Sequence, residues 1–383
     1  MNFKEFRRSE TLITEGAEAR IQHAEDLIFW EGSQGALRAL DALESLSRSG
    51  INHTSVKWDG SPSLIFGNDE NGEFVLTDKS GFYAKGYDGK AKSPDELREM
   101  FLNRSGGKNR ENSSYVEFAN KMAQIFYIFK NAIPKGYKGF FKGDLLYYNK
   151  PGIKNGHYIF QPNVVQYEVD LTSDLGKRIS KSEAGVVIHR AVDFDGNEQP
   201  LKDLNIFKGN DLLVIPPVFV EHKAQVDLEN IKSVKKIISQ NNLAINSLID
   251  ENILKQKQIA DFPQVLYKYL NSKVDTGLEN IGSDFFDWLA TQNISTRKKQ
   301  NITQHIQENS QIFNVLWQIV NMIMDIKDDI VQQFDNNAQV VKQTMAGERG
   351  GEGYVYSNKN GDIKLVPRRT FSRINRSIER WEH

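Results

Sequence analysis

The chain has 383 residues with 49 basic and 50 acidic side chains, so it has no overall excess of positive charge that would indicate a nucleic-acid partner. The absence of cysteine excludes disulfides, thiolate metal sites and a cysteine nucleophile, and it is compatible with a reducing cytoplasm. No apolar run approaches the length of a membrane span, and the N-terminus lacks the apolar core of a signal peptide. We therefore expect a cytoplasmic protein with no membrane partner.

The first segment, residues 1–50, is predicted to be helical and to pack on the core. Apolar residues recur every three to four positions in RIQHAEDLIFW and again in ALRALDALESL. Within the first of these stretches, His23, Glu25 and Asp26 suggest a metal cluster at first sight. Successive helix residues diverge around the axis, so we interpret the three as a polar helix face.

Between Ile51 and Phe219 the pattern changes to short runs of Val, Ile, Phe and Tyr, punctuated by Asn, Asp and Gly. This alternation predicts a largely antiparallel sheet. One helix is expected to interrupt it, in YVEFANKMAQIFYIFKNAI.

Residues 226–340 contain only two glycines, and apolar residues recur at helical spacing, most clearly in IFNVLWQIVNMIMDIKDDIVQQF. The segment is therefore predicted to be an all-helical insertion. Strand-like residues return in GEGYVYSNKNGDIKLVPRRTF, where NKNGD predicts a hairpin turn. We expect an α+β fold in which residues 51–225 and 341–383 form one domain on antiparallel sheets.

Five short motifs follow one another in this domain, and their order is informative. They are Lys57-Trp58-Asp59-Gly60, Asp78-Lys79-Ser80-Gly81, Gly143-Asp144-Leu145-Leu146, Gly351-Glu352-Gly353-Tyr354-Val355 and Ile363-Lys364-Leu365-Val366. The succession resembles the covalent nucleotidyltransferase superfamily of ATP-dependent DNA ligases, RNA ligases and mRNA capping enzymes. The resemblance covers about residues 50–225 and 341–370, and it implies a ligase-type nucleotidyltransferase domain. Little chain follows Lys364, so we expect no C-terminal oligonucleotide-binding (OB) barrel.

The chemistry of this superfamily requires an amine that attacks the α-phosphorus of ATP and forms a phosphoramidate. The resemblance makes Lys57 that nucleophile. A free lysine has a pKa of roughly 10.4, so it must be activated by cations, a metal or desolvation. The expected cofactors are ATP and Mg²⁺, or Mn²⁺ in its place, because triphosphate chemistry needs a divalent cation with oxygen ligands.

The resemblance also assigns roles to residues outside the nucleophile. Nucleotide binding falls to Asp59, Gly60, Lys79, Asp144, Tyr167 and Lys364, and metal binding to Glu352 and Asp144. Lys79 stands where many ligases have Arg in S-R-x-G, and Tyr167 is the proposed adenine platform, with Phe160 as the alternative. Glu183, in Glu183-Ala184-Gly185-Val186-Val187, competes with Glu352 as the acid of the fourth motif.

Two positions depart from the family pattern. Pro62 occupies the position where many ligases have Arg, and Val366 replaces the second lysine of the closing K-x-K. Contacts to nucleic acid must then come from local basic clusters, for which we select Lys142, Arg368, Arg369 and Arg373.

The resemblance thus implies an ATP-dependent polynucleotide ligase that seals 5′-phosphate/3′-OH nicks in DNA or DNA/RNA duplexes through a lysyl-AMP intermediate. The alternatives are an RNA ligase, a capping-type guanylyltransferase, or a catalytically silent nucleic-acid-binding protein. The chain is similar to compact viral ligases, which predicts a monomer of a phage-encoded branch acting in the host cytoplasm.

Overall fold

The computed structural model describes residues 22–48, 50–199, 201, 204, 206–207, 209–274, 277–278 and 281–374. The described residues form an α+β protein with largely antiparallel sheets. They divide into two compact units. The first contains residues 22–57, 218–338 and 352–374, and the second contains 58–217 and 339–351.

The strands are short, and the helices lie in two groups along the chain. In chain order the strands are β1 (Gln22–His23), β2 (Thr54–Val56), β3 (Ser63–Asn68), β4 (Phe74–Asp78), β5 (Gly139–Tyr147), β6 (Gly152–Lys154), β7 (His157–Phe160), β8 (Gln166–Asp170), β9 (Ala184–Val192), β10 (Glu198–Gln199), β11 (Leu212–Val214), β12 (Val341–Met345), β13 (Glu348–Arg349), β14 (Tyr354–Asn358) and β15 (Gly361–Leu365). The helices are α1 (Leu27–Ser45), α2 (Lys79–Phe82), α3 (Pro94–Leu102), α4 (Ser113–Ala132), α5 (Asp174–Ile179), α6 (Leu228–Leu248), α7 (Glu251–Gln256), α8 (Phe262–Lys273), α9 (Phe285–Thr291), α10 (Thr296–Glu308) and α11 (Ser310–Asn337).

The first unit contains a four-stranded sheet with the order β1-β15-β14-β2. Strand β1 is parallel to β15, whereas β14 is antiparallel to both β15 and β2. One face of this sheet is apolar, with Tyr354, Tyr356, Ile363 and Leu365 buried in the same core as the helices. Alternate residues point to opposite faces of a strand, so Ser55, Val355 and Lys364 lie on the other face.

The helices of the first unit complete this core. In α11, Ile312, Leu316, Ile319 and Ile323 are buried at the spacing of one helix face, so the apolar stripe of the sequence is the packed stripe of the structure. Asp227 caps the N-terminus of helix α6, and its side chain accepts hydrogen bonds from the backbone N–H groups of Glu229 and Asn230. Such a cap satisfies donors that have no partner inside the helix.

The second unit is built on two sheets. One has the order β10-β9-β5-β3-β4 with β11 added parallel to β9, and the other has the order β13-β12-β8-β7-β6. Helices α3 and α4 share an apolar core with the first sheet, in which Phe66 packs edge-on against Phe129 at 4.9 Å between ring centroids. The long β5–β9 pairing carries Asp144 and His189 on neighbouring strands.

Several predicted elements are confirmed. Helix α4 occupies the stretch predicted as a helix, α11 occupies the longest apolar repeat, and β14 and β15 form the expected hairpin at NKNGD. The prediction of a single helix between Ile51 and Phe219 was wrong, since α2, α3 and α5 lie there as well. The predicted helix over RIQHAEDLIFW was wrong for residues 22–26, which form β1 and a 3₁₀ turn, because pairing with β15 outweighs the local helical pattern. Residues 1–21 lie outside the described part of the chain.

The helices of residues 228–337 share their core with α1 and the four-stranded sheet. The sequence analysis divided the chain by its motifs, into a domain of residues 51–225 plus 341–383 and an insertion at 226–340. These domain bounds remain a prediction. None of the described helices combines the length and the apolar content needed to span a bilayer.

Candidate active site

Lys57 and Glu352 form an ion pair in the first unit, although 295 positions separate them in the chain. The Lys57 ammonium contacts the Glu352 carboxylate, and the side chains are 21% and 16% exposed. The backbone holds the pair in place, because the Lys57 N–H donates to the Gly353 carbonyl at 2.9 Å and so extends the β2–β14 ladder by one residue. The lysine of the first motif thus meets the glutamate of the fourth.

Lys364 lies on the same face of this sheet. Its cross-strand neighbours are His23 on β1 and Val355 on β14, and Val355 is in turn opposite Ser55 on β2. Lys57 is two residues beyond Ser55, which directs it to that face as well. The sheet therefore brings together residues of the first, fourth and fifth motifs.

His23 is surrounded by cations. Burial lowers its pKa well below the usual value, and nearby Arg368, Lys327, Lys364 and Lys57 lower it further, so the imidazole is neutral at pH 7. Its Nδ1 is buried and has no hydrogen-bond partner among the described residues. The interpretation of His23 as part of a polar helix face was wrong, because the residue lies in strand β1 and is largely covered by protein.

Glu25 and Asp26, which follow His23 closely in the chain, belong to a network of four buried charges. Lys327 donates to both carboxylate oxygens of Glu25 at 2.9 and 3.0 Å, and Arg368 forms a bidentate pair with Asp26. Burial acts to raise the pKa of Glu25, but Lys327 and Arg368 more than offset it, so the net shift is downward. Burial raises the pKa of Asp26 to about 6 against the influence of Arg368.

This network corrects the role of Arg368. We predicted a surface contact to nucleic acid, but the side chain is 2% exposed and its guanidinium is committed to Asp26 and Glu25. A buried arginine with two carboxylate partners is a structural group, since opening the pair would leave uncompensated charges in the core. Arg369 pairs with Asp325 at 2.6 Å and Asp328 at 3.3 Å, while Arg373 is exposed.

In the second unit, Asp59 and Tyr167 are brought together. The Asp59 backbone N–H donates to the Tyr167 hydroxyl at 2.5 Å, and the Asp59 carboxylate accepts from Asn163 at 3.0 Å. The Tyr167 ring is fully buried and packs against Trp58 at 4.6 Å and Phe160 at 5.5 Å between ring centroids. Tyr167, predicted as an adenine platform, is thus covered by protein, and Phe160 belongs to the same buried cluster.

Gly60 packs directly on strand β5. A methyl group at this position would lie 2.7 Å from Asp144 Cβ and 2.8 Å from the Leu145 carbonyl oxygen, so only glycine fits without a backbone shift. Asp144 is 22% exposed and pairs with His189 Nε2 at 2.8 Å. The sequence indicated a close approach at Gly60, and the group that approaches in the described structure is strand β5.

The second motif lies at the start of α2. Asp78 caps that helix by accepting from the Gly81 N–H at 2.7 Å, and it also forms a bidentate pair with Arg104. Lys79 is exposed at the first helical position. Lys142 pairs with Glu198 on the neighbouring edge of the sheet. The predicted contacts of Lys79 and Lys142 to nucleotide or nucleic acid remain predictions.

Two residues were missed. His23 has no local signal, because its pairing with Lys364 joins strands 341 positions apart. Arg104 lies in a polar stretch, and only its pairing with Asp78 shows that its guanidinium is held in place. From the sequence alone, nothing distinguishes Arg104 from the other basic residues of that stretch.

The metal assignment is tested by the oxygen donors available. In the part of the chain that the structure describes, no three or more His, Asp or Glu side chains gather at one point to hold an ion. Mg²⁺ in nucleotide sites is typically held by one or two carboxylates together with the phosphates, and Glu352 is a donor of this kind. The predicted metal role of Asp144 remains a prediction.

The described residues define an α+β protein with a lysine–glutamate pair at a four-stranded, largely antiparallel sheet. The chain belongs to a family of unknown function, DUF6267, whose profile matches residues 18–380. No curated protein and no solved structure matches it.

Proposed function

We propose that this protein is an ATP-dependent polynucleotide ligase in which Lys57 carries AMP covalently. The observation that carries the proposal is the contact between Lys57 and Glu352, with Lys364 on the same sheet face. The three were selected from separate motifs, and Lys57 lies 295 positions before Glu352. A shared sheet face is what a nucleotide-transfer site requires of them.

The contact also favours Glu352 over Glu183 as the acid of the fourth motif. Glu352 pairs with the proposed nucleophile, whereas Glu183 is an exposed residue immediately before β9. The cations around His23 support the binding of a polyanion at this face, because Lys57 and Lys364 both contribute to the local positive field.

In the first step, the neutral Lys57 amine attacks the α-phosphorus of ATP. A nitrogen–phosphorus bond forms, the bond from the α-phosphorus to the bridging oxygen breaks, and pyrophosphate leaves. Glu352, already in contact with the ammonium, is the acceptor for the proton that Lys57 must lose. Bound Mg²⁺ supplies neutralisation of the triphosphate charge.

In the second step, a 5′-phosphate oxygen of the polynucleotide attacks the phosphorus of Lys57–AMP. The nitrogen–phosphorus bond breaks and the Lys57 amine regains a proton. In the third step, a 3′-hydroxyl attacks the 5′-phosphate, AMP leaves, and the hydroxyl proton passes to solvent. In this proposal Lys364, on the same sheet face as Lys57, contacts phosphate oxygens during these transfers.

Intact mass measurement tests the first step. Purified protein is incubated with ATP or with GTP and Mg²⁺, beside an untreated sample and a sample stripped with pyrophosphate. We expect the wild type to gain the mass of one AMP, and Lys57→Ala and Lys57→Arg to gain none. Glu352→Gln should slow the gain by about 100-fold or more, the usual size of a general-base contribution.

The exposed residue Lys223 provides a matched control in the same unit, and Lys223→Ala should be adenylated like the wild type. Transfer of GMP instead of AMP would favour a capping-type guanylyltransferase. A protein that is unmodified in every sample, before and after pyrophosphate treatment, would overturn the proposal and favour a silent binding protein.

A further inference from the structure

The second unit contains a cavity of about 930 Å³ that the motifs do not explain. Its lining includes Tyr87, Lys90, Lys92, Glu99, Asn103 and Arg104. The first of these residues follow helix α2 in the chain, and the last precede and begin the 3₁₀ turn Arg104–Glu111. We call this cavity the Arg104 cleft.

The chain segment that supplies one wall of the Arg104 cleft is basic. Residues 79–92 contain four lysines and one acid, Asp88. Lys92 pairs with Asp69 and Glu73, but within the described ranges no carboxylate pairs with Lys85 or Lys90. The Lys90 ammonium instead lies 4.6 Å from the centre of the Phe82 ring, which leaves its charge available to an anion.

The acidic side chains of the cleft are already engaged. Glu99 pairs with Arg98 and Arg110, and Glu96 accepts a hydrogen bond from the Lys92 backbone N–H at 2.8 Å. Asp88 accepts from the Lys90 backbone N–H at 2.9 Å. These contacts hold the walls and reduce the repulsion that a bound anion would meet.

Arg104 forms a fixed part of the cleft wall. Its two terminal nitrogens pair with Asp78, which fixes the guanidinium plane, and the Tyr115 hydroxyl also hydrogen-bonds to this side chain. Arg104 therefore shapes the cleft, and the cation left for a ligand is Lys90.

Two tyrosines of the basic segment 79–92 are exposed. Tyr87 lines the cleft and is 55% exposed, and Tyr83 is 41% exposed with its hydroxyl donating to the Gly196 carbonyl at 2.9 Å. Large exposed aromatic rings next to unpaired cations are characteristic of surfaces that stack bases and contact phosphates. A small phosphorylated metabolite would explain the cations but not the exposed rings.

We propose that the Arg104 cleft binds a polynucleotide strand, with a phosphate contacted by Lys90 and a base stacked on Tyr87. The choice of ligand class rests on the proposed ligase function. Binding needs no covalent chemistry, so it is measured separately from adenylation. Failure of Lys57 to take AMP and failure of this cleft to bind are thus distinguishable results.

The test is fluorescence anisotropy of the full chain with labelled, 5′-phosphorylated DNA, RNA and hybrid duplexes that carry a nick. Tyr87→Ala should weaken binding by about tenfold, in line with the loss of one stacked base. Lys90→Ala should weaken it several-fold and reduce the slope of log affinity against log salt by about one.

Matched controls lie in the same unit. Tyr127 is as exposed as Tyr87, and Lys181 is an exposed lysine elsewhere, so Tyr127→Ala and Lys181→Ala should bind like the wild type. Asp88→Asn keeps the acceptor for the Lys90 N–H but removes a negative charge, so it should tighten binding about twofold to threefold, which a folding defect would not do.

Lys57→Ala should bind nucleic acid normally while losing adenylation. The proposal is supported if the wild type binds any of the three duplexes and if, among the alanine variants, only Tyr87→Ala and Lys90→Ala weaken that binding. It is overturned if no duplex binds, or if these two variants bind as tightly as Tyr127→Ala and Lys181→Ala.

Discussion

The two units of this protein distribute their charge differently. The first unit buries Glu25, Asp26, Lys327 and Arg368 completely or nearly so and compensates each by an opposite charge. The second unit has an aromatic interior, represented by the cluster of Trp58, Phe160 and Tyr167. Whether a motif residue is functional or structural must therefore be judged within its own unit. A basic residue can have a structural role in the first unit, and an aromatic residue can have one in the second.

The largest loss of stability is expected when one partner of a buried ion pair in the first unit is removed. Lys327→Met leaves Glu25 buried without its main partner and should lower the free energy of unfolding by about 3–5 kcal/mol. Urea denaturation measures this. The control Lys232→Met removes an exposed, solvent-screened pair with Glu229 and should leave the stability close to that of the wild type.

The double variant Glu25→Gln/Lys327→Met tests whether an uncompensated buried charge causes this loss of stability. It should be more stable than Lys327→Met, because the carboxylate that lacked a partner is gone. Equal stability of Lys327→Met and Lys232→Met would show that the buried network does not have the energetic weight we assign to it.

In the second unit the expected effect is steric. Gly60→Ala places a methyl group within 2.8 Å of strand β5 and should destabilise the protein by about 1–3 kcal/mol. Gly152 has open space at its Cβ position and an ordinary backbone, so Gly152→Ala should be close to neutral. Thermal unfolding of the two variants separates them, and a neutral Gly60→Ala would contradict the described packing against Asp144.

A smaller loss is expected from Tyr167→Phe. The ring and its contacts with Trp58 and Phe160 remain, but the Asp59 N–H loses the hydroxyl that accepts from it. The free energy of unfolding should fall by about 1 kcal/mol. A loss as large as that of Tyr167→Ala would mean that the hydroxyl, and not the ring, dominates this cluster.

The smallest effect concerns pH and the first unit. His23 is buried neutral with a lowered pKa, so the unfolded chain binds its proton first, and stability is lost as pH falls below about 6.5. The loss should be about 1 kcal/mol between pH 7 and pH 5.5. Asp26 acts in the opposite direction. Its pKa is raised to about 6 in the folded protein, so the folded state takes up this proton before the unfolded chain does, and protonation of Asp26 adds stability as the pH falls.

The difference in stability between wild type and His23→Gln isolates the histidine contribution, since Asp26 is present in both proteins. Denaturation of each at pH 7, 6 and 5.5 should show the difference shrinking towards acid pH. A difference that does not change with pH would contradict a neutral buried His23.

The sequence by itself determined the local features of this protein. The apolar repeat of α11, the hairpin between β14 and β15 and the helix α4 follow from periodicity and turn residues, which act within a few positions. The motif order also selected Lys57, Glu352 and Lys364 before any contact between them was visible. Their contact and their common sheet face became visible only in the structure.

Only the tertiary structure decided which motif neighbours are structural. Arg368 is removed from the surface by Asp26, a residue 342 positions away, and Tyr167 is covered by Trp58 and Phe160. His23 joins the face of Lys364 through a parallel pairing that no local pattern encodes. Burial and ion pairing depend on which distant segments meet, and that information is not contained in the residue types of any one segment.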